Sequence, residues 1–322
     1  MAISIDVLLQ SIILARALFV AADLNIAEHL ALKAMTADEI AIVTHTEASS
    51  LKRLLYFLEL NDVFEKQDDE RYHLTDFSQT MCSNDPHTIK PFLLHDDETR
   101  WNCFGNLGHS IATGKASFDK LYGMDYFKHL KQHPLLSARF NDAMTIISSE
   151  EDALIAKTIP FKNRVVDIGG GTGQLINNIA RTHALTEGIL FDLPEVVAQA
   201  DNLHQTCTKK GGSFFEPIAC TADIFILKRV LHDWDDAESL KILKNVTNAM
   251  QEGSTLYIID GILDYSEDKK LLAAIDLALL TIFQGRERTK AEFEALTQAA
   301  GLEIVSIQLL GSLMCAIECR KN

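Results

Sequence analysis

The sequence predicts a doubly wound α/β domain, its parallel sheet closed by an antiparallel last strand, preceded by a mainly helical domain of winged-helix type. Three observations carry this reading. From about residue 158 onward, apolar β-branched runs alternate with helix-length segments, as crossover connections between parallel strands require. The first run, Val165-Val166-Asp167-Ile168, breaks into the glycine-rich Gly169-Gly170-Gly171-Thr172-Gly173, which lets the backbone approach a ligand at the carboxyl end of a strand. Residues 1–95 read instead as helices followed by a short hairpin.

Taken in order, Ile3–Leu24 is apolar but interrupted by Asp6, Gln10, Arg16 and Asp23. That pattern fits neither a signal peptide nor an unbroken membrane span, and predicts an amphipathic helix packed against a partner. Thr36-Ala37-Asp38-Glu39 has the spacing of a capped helix start. A second helix opens at Ala48, with Leu51, Leu54, Leu55 and Leu58 on one face. Val63-Phe64-Glu65 and Tyr72-His73-Leu74-Thr75 flank the polar tip Gln67–Arg71, a β-wing. Residues 96–157 predict connecting helices rich in aromatics. Phe140 and Met144, one helical turn apart, are the expected lining of a substrate pocket. In the last part, 158–322, strands are expected at 164–169, 188–192, 213–216, 222–230, 254–260, 302–309 and 313–320. Helices are expected at 173–182, 195–201, 236–250, 271–283 and 290–300. Leu310-Gly311-Ser312-Leu313 is too short for a crossover helix, so the final two strands form an antiparallel hairpin. Leu271–Phe283 carries Asp276 in mid-segment and reads, like the N-terminal helix, as a partner-facing amphipathic helix.

Bulk properties exclude some functions. A net charge of −15 disfavours nucleic acid and anionic membrane as main partners. The wing itself is acidic at Asp68, Asp69 and Glu70, so phosphate would repel it and a winged-helix regulator is the weaker reading. The six cysteines form no zinc spacing and read as reduced thiols of a cytoplasmic protein that holds no metal.

The spacing of the glycines points to the ligand. A G-x-G-x-x-G dinucleotide fingerprint fails in either register, because the third glycine would fall on Gln174 or Ile176. No Gly-Lys-Ser/Thr follows, so a phosphate loop fails too. Asp167, Gly169, Gly171 and Gly173 instead give D-x-G-x-G-x-G. This resembles the first motif of S-adenosylmethionine-dependent methyltransferases, whose cofactor has no pyrophosphate to seat. About 20 residues further on, Gly188-Ile189-Leu190-Phe191 ends in Asp192, placed to bind ribose hydroxyls, with Leu193 beside it.

The stretch Ala222–Asp236 is the second decisive one. A buried strand delivers Lys228, Arg229 and His232 to its ligand-binding carboxyl edge, and Asp235 and Glu238 have capping-box-like spacing. With its His-Asp-Trp block and preceding lysine, the chain resembles over nearly its full length the plant and bacterial small-molecule O-methyltransferases, the caffeate and hydroxyneurosporene enzymes among them. The resemblance implies a Rossmann-like catalytic domain, a winged-helix-like dimerisation domain and a homodimer. It implies transfer of methyl from S-adenosylmethionine to the hydroxyl of an aromatic or polyketide-like molecule. It further implies that His232 is the general base, flanked by Asp260 and Glu287, and that Phe214, Lys228 and Arg229 lie near the cofactor. For Asp260 a strand-end acid satisfied by the next turn is the alternative, and for Lys228 a solvated lysine. Where the family places Asp after Gly212, this chain has Ser213, which has less reach and no charge. That departure keeps open a relative that binds the cofactor without methyl transfer, hydroxylase-like or pericyclase-like.

Overall fold

The structure, a computed structural model, describes residues 4–322. These divide into two compact units, residues 4–101 with 133–146 and residues 102–132 with 147–322. The segment 96–157, expected as one set of connecting helices, is therefore shared between them.

In the first unit, α1 (Ile5–Asp23) and α2 (Ile26–Leu32) precede a short strand β1 (Met35–Thr36), α3 (Ala37–Thr44) and α4 (Ala48–Glu59). Ile3, where the predicted N-terminal helix begins, lies outside the described residues. Strands β2 (Phe64–Lys66) and β3 (Arg71–Leu74) form the wing, and β3 pairs with both β1 and β2. Helices α5 (Asp76–Gln79) and α6 (Lys90–His95) complete this run. The predicted helix start at Thr36 is a full capping box. The Thr36 hydroxyl accepts from Glu39 N, and Glu39 Oε2 accepts from Thr36 N at 2.8 Å. Arg71 reaches from the wing to Glu39 at 2.6 Å, Lys66 pairs with Glu70 at 3.1 Å and Lys52 with Asp38 at 2.8 Å. These three bases of the predicted motif are thus already neutralised by acids. The core of this unit is built from Ala17, Ala21, Ile26, Ile40, Leu55, Leu58, Phe64 and Met81. Ile5, Leu8, Leu9, Ile12 and Ile13 of α1 remain exposed. By length and composition α1 is apolar enough to cross a membrane, with mean hydropathy 1.9 over its most apolar window.

Helices α7 (Glu98–Gly105) and α11 (Pro134–Thr158) each have residues in both units, while α8 (Leu107–Thr113), α9 (Ser117–Tyr122) and α10 (Tyr126–Gln132) belong to the second. The second unit is built on seven strands: β4 (Asn163–Ile168), β5 (Leu185–Asp192), β6 (Cys207–Gly211), β7 (Ile224–Lys228), β8 (Thr255–Gly261), β9 (Leu302–Leu310) and β10 (Met314–Lys321). Their order in the sheet is β6-β5-β4-β7-β8-β10-β9. The first five are parallel, and β10 runs antiparallel to both β8 and β9. The strand order reverses between β4 and β7, where open α/β sheets bind their ligands. The helices are α12 (Gln174–Thr182), α13 (Pro194–Val197), α14 (Asp236–Ala249), α15 (Lys269–Ile282) and α16 (Lys290–Ala299). Val166, Ile168, Phe225, Leu227, Leu256 and Ile258 pack with α14 and α16 residues on one face. Val165, Ile176, Ile179, Ile226 and Ile259 fill the other.

Two predicted elements differ. The strand expected at 213–216 is instead β6 at Cys207–Gly211, and Ser213-Phe214-Phe215 lies in the turn after it. The sheet edge is exposed over Thr208–Gly211, so it has no apolar run to recognise, whereas the two phenylalanines are apolar for a different reason, given below. The helix expected over 195–201 is one turn, Pro194–Val197.

Gly188 tests the packing of β5. A Cβ there would meet Cys207 Sγ at 2.7 Å and Ile176 Cγ1 at 3.1 Å. Gly188→Ala is expected to cost about 1–3 kcal/mol by overpacking, read as a lower urea midpoint with an unchanged slope.

Candidate active site

The glycine turn after β4 depends on backbone conformations that side chains disfavour. Gly169, Gly171 and Gly173 have φ of +72°, +59° and +84°. At Gly171 the space beyond the backbone is open. The Asp192 carboxylate, at the end of β5, accepts from Gly171 N at 2.8 Å and from Leu193 N at 2.7 Å. Burial raises its pKa, opposed by those two amides. Asp167 lies beneath the turn, fully buried, with Oδ2 unpartnered and its pKa pushed up to about 7 chiefly by burial. The Phe214 ring lies against the turn, 3.5 Å from where a Cβ on Gly169 would be. Phe214, Phe215 and Trp234 form an edge-to-face aromatic cluster with centroids 4.7–6.0 Å apart. Ser213 does not point a charge into this region; its hydroxyl accepts from Phe215 N at 3.2 Å. A glycine turn of positive φ, an acid at the end of the neighbouring strand and an aromatic cluster against the turn are features that fit S-adenosylmethionine.

Across the switch point, β7 ends in Lys228 and Arg229, and both face acids that the sequence did not single out. Lys228 Nζ is 2.7 Å from Asp152, and Arg229 makes a two-pronged pair with Glu151 at 2.6 and 3.1 Å. Lys228 is 8% exposed, so the solvated alternative does not hold. Arg229 is left-handed at φ +52°, a strained conformation for a residue with a side chain. Burial works against the Glu151 carboxylate, but Arg229 outweighs it and holds the pKa below its ordinary value. The acid run Glu150-Glu151-Asp152 lies 76 to 78 residues before the bases it pairs with, so no local signal in the sequence linked them.

His232 sits in a tight turn, Leu231–Asp233, that follows directly. Its Nδ1 is 3.0 Å from Glu287 Oε1 and its Nε2 is 3.6 Å from Asp233 Oδ1. Asp260, ending β8, is fully buried, and neither of its carboxylate oxygens has a hydrogen-bond partner. The alternative reading of Asp260, satisfied by the following turn, is thereby absent. Burial opposes a charged imidazole here, but Asp233, Glu287 and Asp260 together overcome it and push the His232 pKa up to about 9. Burial likewise raises Asp260 to about 7 and Asp233 to about 6, with His232 as the main opposing charge. The predicted His232, Asp260 and Glu287 therefore do come together as one cluster.

Sequence reasoning missed the groups that hold this cluster in place. Asp276, in mid-helix on α15, accepts from Glu287 N at 2.7 Å. Arg288 is 1% exposed and binds the backbone on both sides of His232. Phe140 and Met144 lie half-buried on α11 in the first unit, with the Phe140 ring 5.6 Å from that of His95. Among the described residues no group of His, Cys, Asp and Glu is arranged to hold a metal ion.

Comparison with known proteins identifies the family. An O-methyltransferase domain model matches residues 104–303 and an O-methyltransferase dimerisation domain model matches residues 7–84. Phenazine O-methyltransferase PhzM of Lysobacter antibioticus is 30% identical over 95% of this chain and 92% of its own. The mitomycin 7-O-methyltransferase MmcR superposes with a TM-score of 0.93 at 30% identity, over 99% of this chain and 97% of its own. The neocarzinostatin O-methyltransferase NcsB1, solved with S-adenosylmethionine and 2-hydroxy-5-methyl naphthoic acid, gives 0.86 at 29% identity, over 96% of each chain. The chain belongs to the O-methyltransferase family: it is an S-adenosylmethionine-dependent O-methyltransferase carrying that family's dimerisation domain.

Proposed function

We propose that this enzyme methylates a hydroxyl on an aromatic or polyketide-like small molecule, with His232 as the general base. The observation that carries the reading is the His232–Glu287 hydrogen bond, which fixes the ring through Nδ1 and leaves Nε2 as the nitrogen for the incoming proton. The relatives described above act, by their names, on phenazine and mitomycin scaffolds, and NcsB1 was solved with a hydroxylated naphthoic acid. S-adenosylmethionine supplies an electrophilic methyl group. Asp167, Gly169, Gly171, Gly173, Asp192, Leu193 and Phe214 are the residues proposed to hold it. Ser213 joins them through the turn it stabilises, and Lys228 and Arg229 by anchoring the end of β7. Phe140 and Met144 are proposed acceptor contacts, on their apolar character and shared helix face.

The protein's own task is then to take a proton. A phenol near pKa 10 is mostly protonated at neutral pH. Removing its proton as the C–O bond forms needs a base of comparable strength, and the carboxylates around His232 raise the imidazole into that range. Asp260 and Glu287 stabilise the imidazolium that results.

The exposed apolar residues of α1 and the dimerisation-domain match support a homodimer in which a second copy covers Ile5, Leu8, Leu9, Ile12 and Ile13. The net charge of −15 and the exposed acidic wing tip support a protein that binds neither nucleic acid nor membrane and works in the cytoplasm.

Three outcomes test these proposals. His232→Ala should lower kcat by ~10²–10⁴-fold with cofactor affinity unchanged in a calorimeter, and Glu287→Gln by roughly tenfold; turnover retained in His232→Ala would remove the base. Because the imidazole must be neutral to accept a proton and its pKa is raised to about 9, kcat/KM should climb with pH from 6 toward a plateau near that value. In Glu287→Gln, which lacks one stabilising carboxylate, the plateau should move to lower pH. Light scattering should give twice the 35.8 kDa chain mass, and Leu9→Asp with Ile12→Asp should yield monomer.

A further inference from the structure

Arg288 is among the largest fully buried side chains of the molecule, and its charge is out of proportion to its surroundings. Its one carboxylate partner, Asp236, is 60% exposed. Burying a guanidinium is costly unless each donor is used, and an apolar side chain of similar size is often no less stabilising. Here four donors are used. Nε donates to Asp236 Oδ1 at 2.9 Å and Nη1 to the Leu231 carbonyl at 2.8 Å. Nη2 donates to the Trp234 carbonyl at 2.9 Å and to Ser239 Oγ at 3.1 Å. The two carbonyls bracket His232 and Asp233.

The adjoining residues grip the same turn. Arg286 N donates to the His232 carbonyl at 2.8 Å, and Gly285 packs so closely that a Cβ would overlap that oxygen and the Asp233 backbone. Between these two contacts Glu287 offers its carboxylate to His232 Nδ1. The gripping segment is itself anchored, since Leu263 N donates to the Arg288 carbonyl at 3.0 Å and Asp276 caps Glu287 N at 2.7 Å. One segment therefore sets both the backbone that carries the imidazole and the carboxylate that orients it.

We propose that Arg288 is the positioning residue of the reaction: its planar fork fixes the Leu231–Trp234 turn so that the His232 ring meets Glu287 in register. This rests on His232 being the base. Only a guanidinium serves, because the acceptors lie in several directions about one plane, whereas the ammonium of lysine is a compact point charge on a flexible stem. The Gly169–Gly173 turn and Asp192 are held by other contacts, and the Trp234 carbonyl is where the fork meets the aromatic wall.

The test compares Arg288→Lys with the parent enzyme. Lysine keeps the positive charge, so any change in His232 reports geometry rather than charge. Expected are a kcat lower by ~10–100-fold, S-adenosylmethionine affinity within about twofold, and a pH–rate plateau lowered by roughly half a unit or more. The His232 pKa followed by ¹⁵N-histidine NMR should fall with it. Parent kcat and parent His232 titration in Arg288→Lys would overturn the proposal, even if the melting temperature drops. If Arg288→Lys fails to bind cofactor, Asp236→Ala decides, because Asp236 is largely exposed and its removal takes the carboxylate from Nε and Nη2 while leaving both carbonyl contacts of the fork in place. A smaller shift of the same kind supports the fork, and parent values of kcat and His232 pKa overturn it. His232→Ala, measured alongside, separates the two ideas. Its retained turnover would sink the base, while the NMR titration still judges the fork.

Discussion

The site depends on one hydrogen bond made in a dry place, between His232 Nδ1 and the Glu287 carboxylate. Around it the fold collects three acids and lets only one of them pair closely with the imidazole. Such a concentration of negative charge is unfavourable unless something positive resides within it. The histidine supplies that charge, and Arg229 and Arg288, which both reduce the burden on Asp260, supply the rest. The cluster thus has a built-in affinity for a proton, the property a base needs.

Much of the surrounding scaffold follows from keeping that bond in place. Arg229 closes β7 in a strained left-handed conformation and is held by Glu151, so the chain turns sharply into the His232 segment. Lys228, one residue earlier, is tied to Asp152 by a second buried pair. Two successive basic residues bind two successive acids on α11. The pairs are also joined, Lys228 Nζ lying 3.3 Å from Glu151, so loss of Lys228 would strip a cation from both buried acids, which is the costly outcome.

The sequence was informative where chemistry imposes spacing. The glycines of the turn and Asp192 at the end of β5 were singled out by short-range spacing, whereas His232 and Glu287 were singled out by the resemblance of their local blocks to a known family. The doubly wound parallel sheet followed from the alternation of apolar runs and helices, and its antiparallel end from the short link at Leu310–Leu313. What escaped was long-range. Glu151, Asp276 and Arg288 act on residues 11 to 78 positions away, and nothing local distinguishes a buried arginine from a surface one. The misplaced edge strand has a related cause: β6 is polar because one side has no neighbour, while Phe214 and Phe215 are apolar because they pack with Trp234 against the core. Ser213, which stood where an acid was expected, turned out to serve the turn backbone instead.

The position of β10 between β8 and β9 bears on how the chain is made. Synthesis delivers β9 before β10, yet β9 has no partner in the sheet except β10. Until residues 314–321 leave the ribosome, β8 is an open edge and β9 an orphan. The central sheet can therefore close only after translation has passed this point. Deleting residues 314–321 would expose an unpaired apolar β8 to other chains and favour aggregation.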